Sequence, residues 1–402
     1  MLSEATLSYG ARAMTALLGV DSLYRAESGD PTGLAVLNMD TEGAYTGDDF
    51  PSYREARACF AELRADAAAL PEEDRKLYYD QLCHSTLAFI AWREHGLSFA
   101  SQLEDFLHAP AAPASDETLD ELRGRIRTAL DAMGYTGDLA TQAAAWEERV
   151  RVPADAVHEV LTDLLSQAWD RTEEYLGGMP APKSDGMKVE TVTGEAYNAR
   201  CDYSVRTIGI NVDPILTRPG LKHLAVHEGY PGHYVQFKLR ETMARAGTAA
   251  PDVLLSVVNS ASSSVFEGIA DYGIHMIDWA DTDDDRLQAL MTTYRAAIGT
   301  GAAWRLHGLK WTESDATDWL RKQALTGGEG WVLNRMRFIA APPRAALIWS
   351  YWWGEQAVAG AFAGLDGADR SAFLRYLYGR MHSTRTVGMF ATTVAAGGGV
   401  PS

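Results

Sequence analysis

The sequence has 402 residues, 47% of them hydrophobic and 22% charged, which is enough to bury one large core or two moderate ones. This composition excludes intrinsically disordered and fibrous proteins. Acidic residues outnumber basic ones by 54 to 36, and the net charge of −18 argues against nucleic acids and anionic membranes as partners, leaving peptides and small molecules.

The N-terminal residues, the apolar stretches and the cysteines predict where in the cell the protein is found. The first twenty residues lack the basic segment, apolar run and small-residue cleavage site of a secretory signal, and no stretch approaches 18 uninterrupted apolar residues. The cysteines are odd in number and far apart, which favours reduced thiols over a disulfide framework; they are Cys59, Cys83 and Cys201. We therefore expect a cytoplasmic protein with no membrane partner.

The first 180 residues have helical periodicity. Apolar and charged positions alternate at three- and four-residue steps, which predicts long helices over 52–69 and 71–107 and further helices over 118–133 and from Pro153 to about Tyr175. PAAPAS at 110–115 breaks the pattern, Thr118 and Glu121 have capping-box spacing, and Gly177 and Gly178 follow the last helix. We interpret 1–180 as a helical N-terminal region.

A local β signal comes next. Residues 188–212 combine β-branched and aromatic residues with polar alternation, which predicts two short strands or a hairpin. Helical patterns then resume over 219–240, 252–280, 284–308, 313–326, 331–364 and 367–383. The expected fold is mainly α, with a small antiparallel hairpin or sheet beside the helix that carries the histidine motif. Residues 181–402 form the expected metal-binding catalytic region, in one continuous structural unit with the N-terminal region.

Residues 223–234, HLAVHEGYPGHY, contain the strongest chemical signal. A catalytic metal site needs three protein ligands from His, Asp or Glu and one open position, and a carboxylate beside it can accept a proton from the attacking water. This segment supplies the required side chains: His223, His227, Glu228 and His233.

Two histidine pairings are open, one on a straight helix and one that needs a bulge. His223 and His227 lie one turn apart on a straight helix, whereas His227 and His233 are about 240° apart and cannot reach one ion. Pro231 removes an N–H and clashes with the carbonyl of residue 227, so the helix must kink or bulge, and Gly229 and Gly232 allow it to do so. Such a bulge can bring His233 to the ion, and both pairings therefore stay open.

Four segments in order resemble a known family. HEGYPGHY, FEGIADYG at 266–273, RLHGLKWTESDATDWL at 305–320 and SYWWGE at 350–355 are similar to motifs of the bacterial family called domain of unknown function 885, regarded as zinc metallopeptidases related to the gluzincin type. The resemblance covers roughly residues 185–385. It implies a helical zincin-like architecture and a Zn²⁺ cofactor, for which another divalent metal can substitute.

The resemblance assigns roles residue by residue. It implies His227, His233 and Glu267 as metal ligands and Glu228 as the catalytic base. Glu267 also makes sense by itself, because a carboxylate within an apolar helix is costly to bury unless it is paired or metal-bound. Asp271, one turn further on, can orient a histidine from behind.

Further residues complete the expected active site. Tyr351 falls on a family position that suits oxyanion stabilisation. His307 also matches a family residue and can bind the oxyanion or the substrate, with a hydrogen-bonded core histidine as the ordinary alternative. Arg337 and Arg344 are candidates for binding a substrate carboxylate, with exposed surface positions as the ordinary alternative. The resemblance also suggests that YSVRTIGIN at 203–211 is an exposed edge strand that pairs with an extended peptide.

The sequence departs from the family in residues expected to face the substrate. Tyr234 replaces a second histidine, Ala303 an aspartate and Trp352 a lysine, and Ala345, Ala346 and Leu347 replace a Pro-Gly-Gln triplet. The expected function is zinc-dependent hydrolysis of an amide bond in a peptide or small metabolite. The alternatives are a metal-dependent lyase, isomerase or cyclase that uses Glu228 for proton transfer, and a non-catalytic small-molecule-binding protein.

Overall fold

The structure is a computed structural model that describes residues 2–29, 34–176 and 186–395. Up to residue 176 the described residues form helices and one short strand, joined by loops. The elements are α1 (Glu4–Ser28), β1 (Ala35–Asn38), α2 (Tyr53–Ala67), α3 (Glu73–His95), α4 (Phe99–Leu107), α5 (Asp116–Ala132), α6 (Leu139–Val150) and α7 (Val157–Leu176). The boundary predicted near residue 180, and the glycines expected to end α7, lie outside the described residues.

The chain from residue 186 contains the other strands and the remaining helices. The elements are β2 (Lys188–Val192), β3 (Ala199–Asp202), β4 (Thr207–Asn211), α8 (Arg218–Leu224), α9 (His233–Arg245), β5 (Leu255–Val257), α10 (Ser263–Met276), α11 (Asp283–Ala303), α12 (Glu313–Gln323), α13 (Gly328–Ala340), α14 (Pro342–Ala345), α15 (Ile348–Phe362), α16 (Gly367–Tyr378) and α17 (Phe390–Ala395). The prediction of a mainly α protein with small β elements is confirmed.

Helix boundaries differ from the prediction where a local residue favours a break. Residues 71–107 form two helices, because Gly96 adopts a left-handed φ of 74° and the Ser98 hydroxyl accepts a hydrogen bond from the backbone N–H of Ser101 at the start of α4. The cap of α5 is Ser115, which accepts from the backbone N–H of Thr118 at 3.1 Å. The capping box predicted at Thr118 was therefore wrong by three residues.

The β structure is richer than the two short strands or antiparallel hairpin that the sequence predicts. β2 pairs in parallel with β4, and β3 pairs antiparallel with β4, which makes a mixed sheet in the order β2-β4-β3. β4 is thus the central strand, so the prediction that 203–211 is an exposed edge strand was wrong.

A second sheet replaces part of a predicted helix. β1 pairs antiparallel with β5, which lies inside the helix predicted over 252–280. The run from Pro251 to Leu254 is a short 3-10 turn, and α10 begins only at Ser263. An apolar run of this length suits a short buried strand as well as a helix, so periodicity alone did not separate the two.

The chain folds into two compact units that interleave along the sequence. One comprises Met1–Ala111, Gln236–Glu267 and Trp353–Ser402, and the other comprises Ala112–Val235 and Gly268–Trp352. In the second unit the largest fully buried side chains include Trp146, Trp331 and Trp349. Across the described parts of the chain, no helix combines the length and apolar character that a bilayer crossing needs.

Candidate metal centre

A proline and two glycines shape the turn that carries the histidine motif. α8 begins at Arg218, capped by the Thr217 hydroxyl, and ends at Leu224. One wide π turn follows, Ala225–Gly229, in which the backbone N–H of Tyr230 donates to the carbonyl of Ala225 at 3.1 Å. Pro231 has no N–H and cannot donate the α-helical hydrogen bond to the carbonyl of His227. The α-helical pattern therefore ends here, in the wide turn.

The turn closes through Gly232. A Cβ atom at this position would lie 2.0 Å from the carbonyl oxygen of His227 and 2.3 Å from that of Val226, so only glycine fits. The N–H of Gly232 donates to the carbonyl of Val226 at 3.0 Å, and α9 begins at the next residue, His233. As a result the rings of His227 and His233 lie 4.6 Å apart, centre to centre.

Helix α10 contacts this turn through a small residue. A Cβ on Gly273 would lie 2.8 Å from Val226 and 3.4 Å from Pro231, which shows how closely the helix approaches. The approach brings Asp271 to the histidines, and Glu267 precedes Asp271 by one turn of the same helix.

Three buried side chains converge at the turn. One ligand atom from each of His227, His233 and Glu267 lies within 4.8 Å of the other two. Ligand atoms bound to one zinc at about 2.0–2.1 Å in a tetrahedral site are about 3.4 Å apart, so a modest contraction completes the set. Two imidazoles and a carboxylate are also a donor set found at catalytic zinc sites, and the residues present therefore fit the metal.

Asp271 fixes the orientation of His227. Its Oδ1 atom accepts from Nδ1 of His227 at 2.8 Å and lies 3.3 Å from Nε2 of His223. With Nδ1 held by the carboxylate, Nε2 is the atom through which His227 would bind a metal. Burial alone would raise the pKa of Asp271, but the two neighbouring imidazoles hold it well below the ordinary value.

The structure also contains a second candidate ligand group, which includes His223. Ligand atoms of His223, His227 and Asp271 form a second buried group within 4.8 Å. In this group, however, both imidazoles share one carboxylate oxygen as hydrogen-bonding partners. That pattern is typical of a carboxylate that supports metal ligands from behind.

A cavity of about 160 Å³ opens beside the turn, wholly within the second unit. His227, Glu228 and Tyr351 are among the residues that line it. Glu228 is 5% exposed, and the planes of the Tyr351 and His227 rings are inclined by 20° with centres 6.4 Å apart. The predicted base and one predicted oxyanion donor therefore lie at the same cavity as the histidine turn.

Other sequence candidates lie elsewhere. His307 is absent from the described lining of the cavity, and its Nε2 is 2.8 Å from the carbonyl oxygen of Ile339. Arg337 and Arg344 are exposed, as the ordinary alternative for them predicted. The three cysteines are free, and burial together with the charge of Glu228 raises the pKa of the Cys201 thiol well above its ordinary value.

The sequence reasoning missed the polar residues of the cavity wall. α13 contributes Trp331, Asn334, Arg335 and Phe338 to the lining, and α11 contributes Arg295. The four α13 residues follow the i, i+3, i+4, i+7 spacing of one helix face. One helix face that mixes aromatic and polar side chains was the available signal.

Comparison with known proteins supports the fold. The chain has a TM-score of 0.55 and 15% identity with the solved structure of the "putative lipoprotein from Colwellia psychrerythraea", covering 87% of this chain and 65% of that one. It has a TM-score of 0.51 and 14% identity with "a putative lipoprotein of unknown function from Shewanella oneidensis", covering 85% of this chain and 71% of that one. No protein-family model and no curated protein matches the chain.

Proposed function

We propose that this protein is a zinc-dependent hydrolase that cleaves an amide bond in a peptide or a small amide-bearing metabolite. The observation that carries the proposal is the buried convergence of His227, His233 and Glu267, with Asp271 bound to the back of His227. The four motifs similar to the domain of unknown function 885 family agree with it. Membership of that family and a cytoplasmic location remain part of the proposal.

The chain's own residues have distinct roles in this scheme. His227, His233 and Glu267 would hold the ion, which when bound supplies Lewis acidity and makes water a stronger acid near neutral pH. Glu228, buried in the cavity wall, takes the proton of the attacking water and returns it to the leaving amine.

Tyr351 completes the site as a hydrogen-bond donor. Its position in the cavity wall, beside His227, suits an O–H that donates to the oxyanion formed from the substrate carbonyl. The contact of His307 with a backbone carbonyl suits a structural role better, and we assign the oxyanion interaction to Tyr351 alone.

Metal content tests the first half of the proposal. Untagged protein supplemented with zinc and then dialysed should retain about one equivalent, and Glu267→Ala should retain less than about 0.2. Elemental analysis and circular dichroism of both proteins separate loss of metal from loss of fold. A folded wild-type protein without metal would instead favour the non-catalytic binding protein.

Substitution of the base tests the second half. Glu228→Gln should keep the bound zinc and lower the rate of amide cleavage by about 10²-fold or more, because the base is lost while the ligands remain. Release of amines from a dipeptide library measures the rate. Full activity in this variant would remove Glu228 from the mechanism. Zinc binding without amide cleavage in the wild type would redirect the search to lyase or isomerase chemistry.

A further inference from the structure

Two buried hydrogen-bond donors on α13 belong to residues that line the cavity. Trp331 and Asn334 are 1% and 2% exposed and lie one turn apart on the helix. Among the residues that the structure describes, neither Nε1 of Trp331 nor Nδ2 of Asn334 has a hydrogen-bonding partner. A buried donor without an acceptor destabilises the fold, and nearly all buried donors in native proteins are paired. These two donors therefore need a reason to be there.

Side chains of the same types are paired elsewhere in the cavity lining. The indole of Trp146 donates from Nε1 to Oδ1 of Asp284 at 2.8 Å. The carboxamide of Gln288 accepts from the hydroxyl of Thr217 and donates to the hydroxyl of Thr292, both at 3.3 Å. The fold thus supplies partners to a buried indole and a buried carboxamide in this lining, and the two α13 donors are exceptions to that pattern.

An acceptor on another wall complements the two donors. Asn198, just before β3, also lines the cavity, and within the described parts of the chain its buried Oδ1 atom has no hydrogen-bonding partner. The segment that leads to Asn198 lies near α13, since Nη1 of Arg337 donates to the carbonyl of Gly194 at 3.5 Å. A ligand in the cavity therefore has two donors and one acceptor available, all of them uncharged.

Charged groups of the lining do not favour an anion at this place. Arg295 donates to the hydroxyl of Thr326 at 2.8 Å and lies 4.0 Å from the carboxylate of Glu147, so its charge has a partner. Its Nε atom is a further donor without a partner among the described residues. Glu228 and Asp271 also line the cavity, and a carboxylate brought into it meets their negative charge.

The α13 donors lie within substrate reach of the histidine turn. Asn334 precedes Phe338 by one turn, about 5.4 Å along the helix. The Phe338 ring lies 6.4 Å from the ring of Tyr351, which lies 6.4 Å from the ring of His227. Extended chain advances about 3.3–3.6 Å per residue, so a group bound at Asn334 is a few residues from an amide bond at the histidines.

We propose that Trp331, Asn334 and Asn198 bind an uncharged carboxamide of the substrate, so that the protein acts on molecules that carry this group in addition to the amide that is cleaved. The carboxamide oxygen accepts from Trp331 and Asn334, and its N–H donates to Asn198. This inference rests on the proposed hydrolase function and names its substrate class. The cavity of about 160 Å³ is similar to one that holds benzene, which suits a small molecule or the end of a peptide.

The test compares a carboxamide with groups of similar shape. One series uses acetyl-Xaa and acetyl-Ala-Xaa in which Xaa is Asn, Leu or Asp, so that a carboxamide, a hydrocarbon and a carboxylate occupy the same place. A second series uses acetyl-Ala with its C-terminus as an amide, as an isopropyl group or as the free acid. The two series distinguish a side chain from a chain terminus as the source of the carboxamide.

Binding to zinc-loaded Glu228→Gln protein is measured by calorimetry, which avoids turnover and reports affinity without activity. We expect at least one carboxamide to bind about tenfold or more tightly than both its hydrocarbon and its carboxylate analogue, because each analogue leaves buried polar groups of the cavity unpaired.

Asn334→Leu in the same background should abolish this preference, with zinc content unchanged. The melting temperature should stay the same or rise, because the variant removes a buried donor that has no partner in the protein. Leu333→Ala, an exposed substitution at the preceding position, should leave the preference unchanged. Gln142→Leu gives the contrast: its buried carboxamide donates to Asp131 and to the carbonyl of Tyr135, so this variant should have a lower melting temperature.

Equal binding of the three groups in both series, tighter binding of the carboxylates, or no binding at all would overturn the inference. So would a preference that survives Asn334→Leu, or a melting temperature that falls in this variant as it does in Gln142→Leu. Zinc titration of the same samples is read separately. Zinc binding without carboxamide preference rejects the carboxamide site and leaves the hydrolase proposal standing. Carboxamide preference in a protein that binds no zinc rejects the hydrolase and leaves the carboxamide site.

Discussion

At the scale of single residues, the hydrogen bond from His227 to Asp271 sets the chemistry of the site. A carboxylate on Nδ1 selects the tautomer in which Nε2 is the metal-binding atom and restricts rotation of the ring. Both residues are less than a tenth exposed, so water competes little for this contact.

Loss of the Asp271 charge should weaken metal binding without abolishing it. Asp271→Asn keeps an oxygen that can accept from His227 but removes the negative charge, and we expect zinc affinity to fall about 10–100-fold. Competition with a chromogenic chelator measures the affinity. Asp278→Asn, an exposed substitution just after the same helix, should leave it unchanged. Equal affinity in the Asp271 variant would show that the carboxylate does not support the site.

Two single histidine substitutions decide between the ligand sets. Because His233 and Glu267 converge with His227 while His223 contacts Asp271, His233→Ala should lower zinc affinity more than about 100-fold and His223→Ala less than about tenfold. The same chelator competition reports both. The reverse order would place the metal between His223, His227 and Asp271.

At the scale of elements, one irregular turn creates the site. A straight helix cannot direct His227 and His233 to one point, and the wide turn followed by a break before α9 removes that obstacle. Gly232 makes the break possible because backbone atoms occupy the space where any side chain would begin. The geometry of this turn therefore sets the positions of the two histidine ligands.

Addition of one methyl group at Gly232 should disturb both stability and metal binding. Gly232→Ala places Cβ against the carbonyl oxygens of His227 and Val226, and we expect a loss of about 3 kcal/mol or more in the free energy of unfolding. Urea unfolding and zinc stoichiometry check the two effects.

Gly124 provides the matched control for that substitution. It lies within α5, and a Cβ there meets nothing within 4 Å. Gly124→Ala should stabilise the protein by about 0.5–1 kcal/mol, because alanine favours the helix, and zinc binding should not change. If both alanine variants behave alike, the close approach at Gly232 does not matter.

At the scale of the whole molecule, buried charges remote from the cavity link stability to pH. In the first unit Asp252 is 4% exposed and accepts from the hydroxyl of Tyr79 at 2.8 Å. Burial raises its pKa to about 6, although this hydrogen bond and the charge of Arg75 oppose the rise. Asp74, beside Arg75 and Arg380, shows the opposite case: burial opposes ionisation, but the two guanidinium groups lower its pKa to about 2.

Asp252 should make the protein less stable as pH rises. The folded state holds its proton up to about pH 6, whereas the unfolded chain releases it near pH 4, so its contribution is present at low pH and is lost between them. Asp252→Asn removes this dependence. Its free energy of unfolding relative to the wild type should therefore rise by roughly 2 kcal/mol from pH 4 to pH 7, measured by urea titration. A constant difference across this range would contradict the shifted pKa.

Asp74 predicts the opposite slope. Its ionised form is stabilised in the fold, so its contribution is present above about pH 4 and is lost as pH falls towards 2. Asp74→Asn should be destabilised by about 3–5 kcal/mol at pH 7, because two buried guanidinium groups lose their partner. The deficit should shrink by roughly 2 kcal/mol in acid, and thermal unfolding at several pH values checks this.

The sequence was sufficient for what depends on local pattern. Helical periodicity predicted most helices and the mainly α class, β-branched residues predicted that 188–212 contains β structure, and Pro231 with its glycines predicted an interruption at the histidines. These features follow from backbone sterics and side-chain spacing within a few residues, so no distant contact was needed to expect them.

Only the tertiary structure decided which side chains meet. The pairing of β1 with β5 and the approach of α10 to the turn join segments far apart in sequence, and the central place of β4 depends on its parallel pairing with β2. The same packing separated Arg335, in the cavity wall, from Arg337, which is exposed although it lies two residues away. The spacing of residues along a helix sets which of them share a face. The segment against which that face packs is determined by burial against distant parts of the chain, and local spacing does not reveal it.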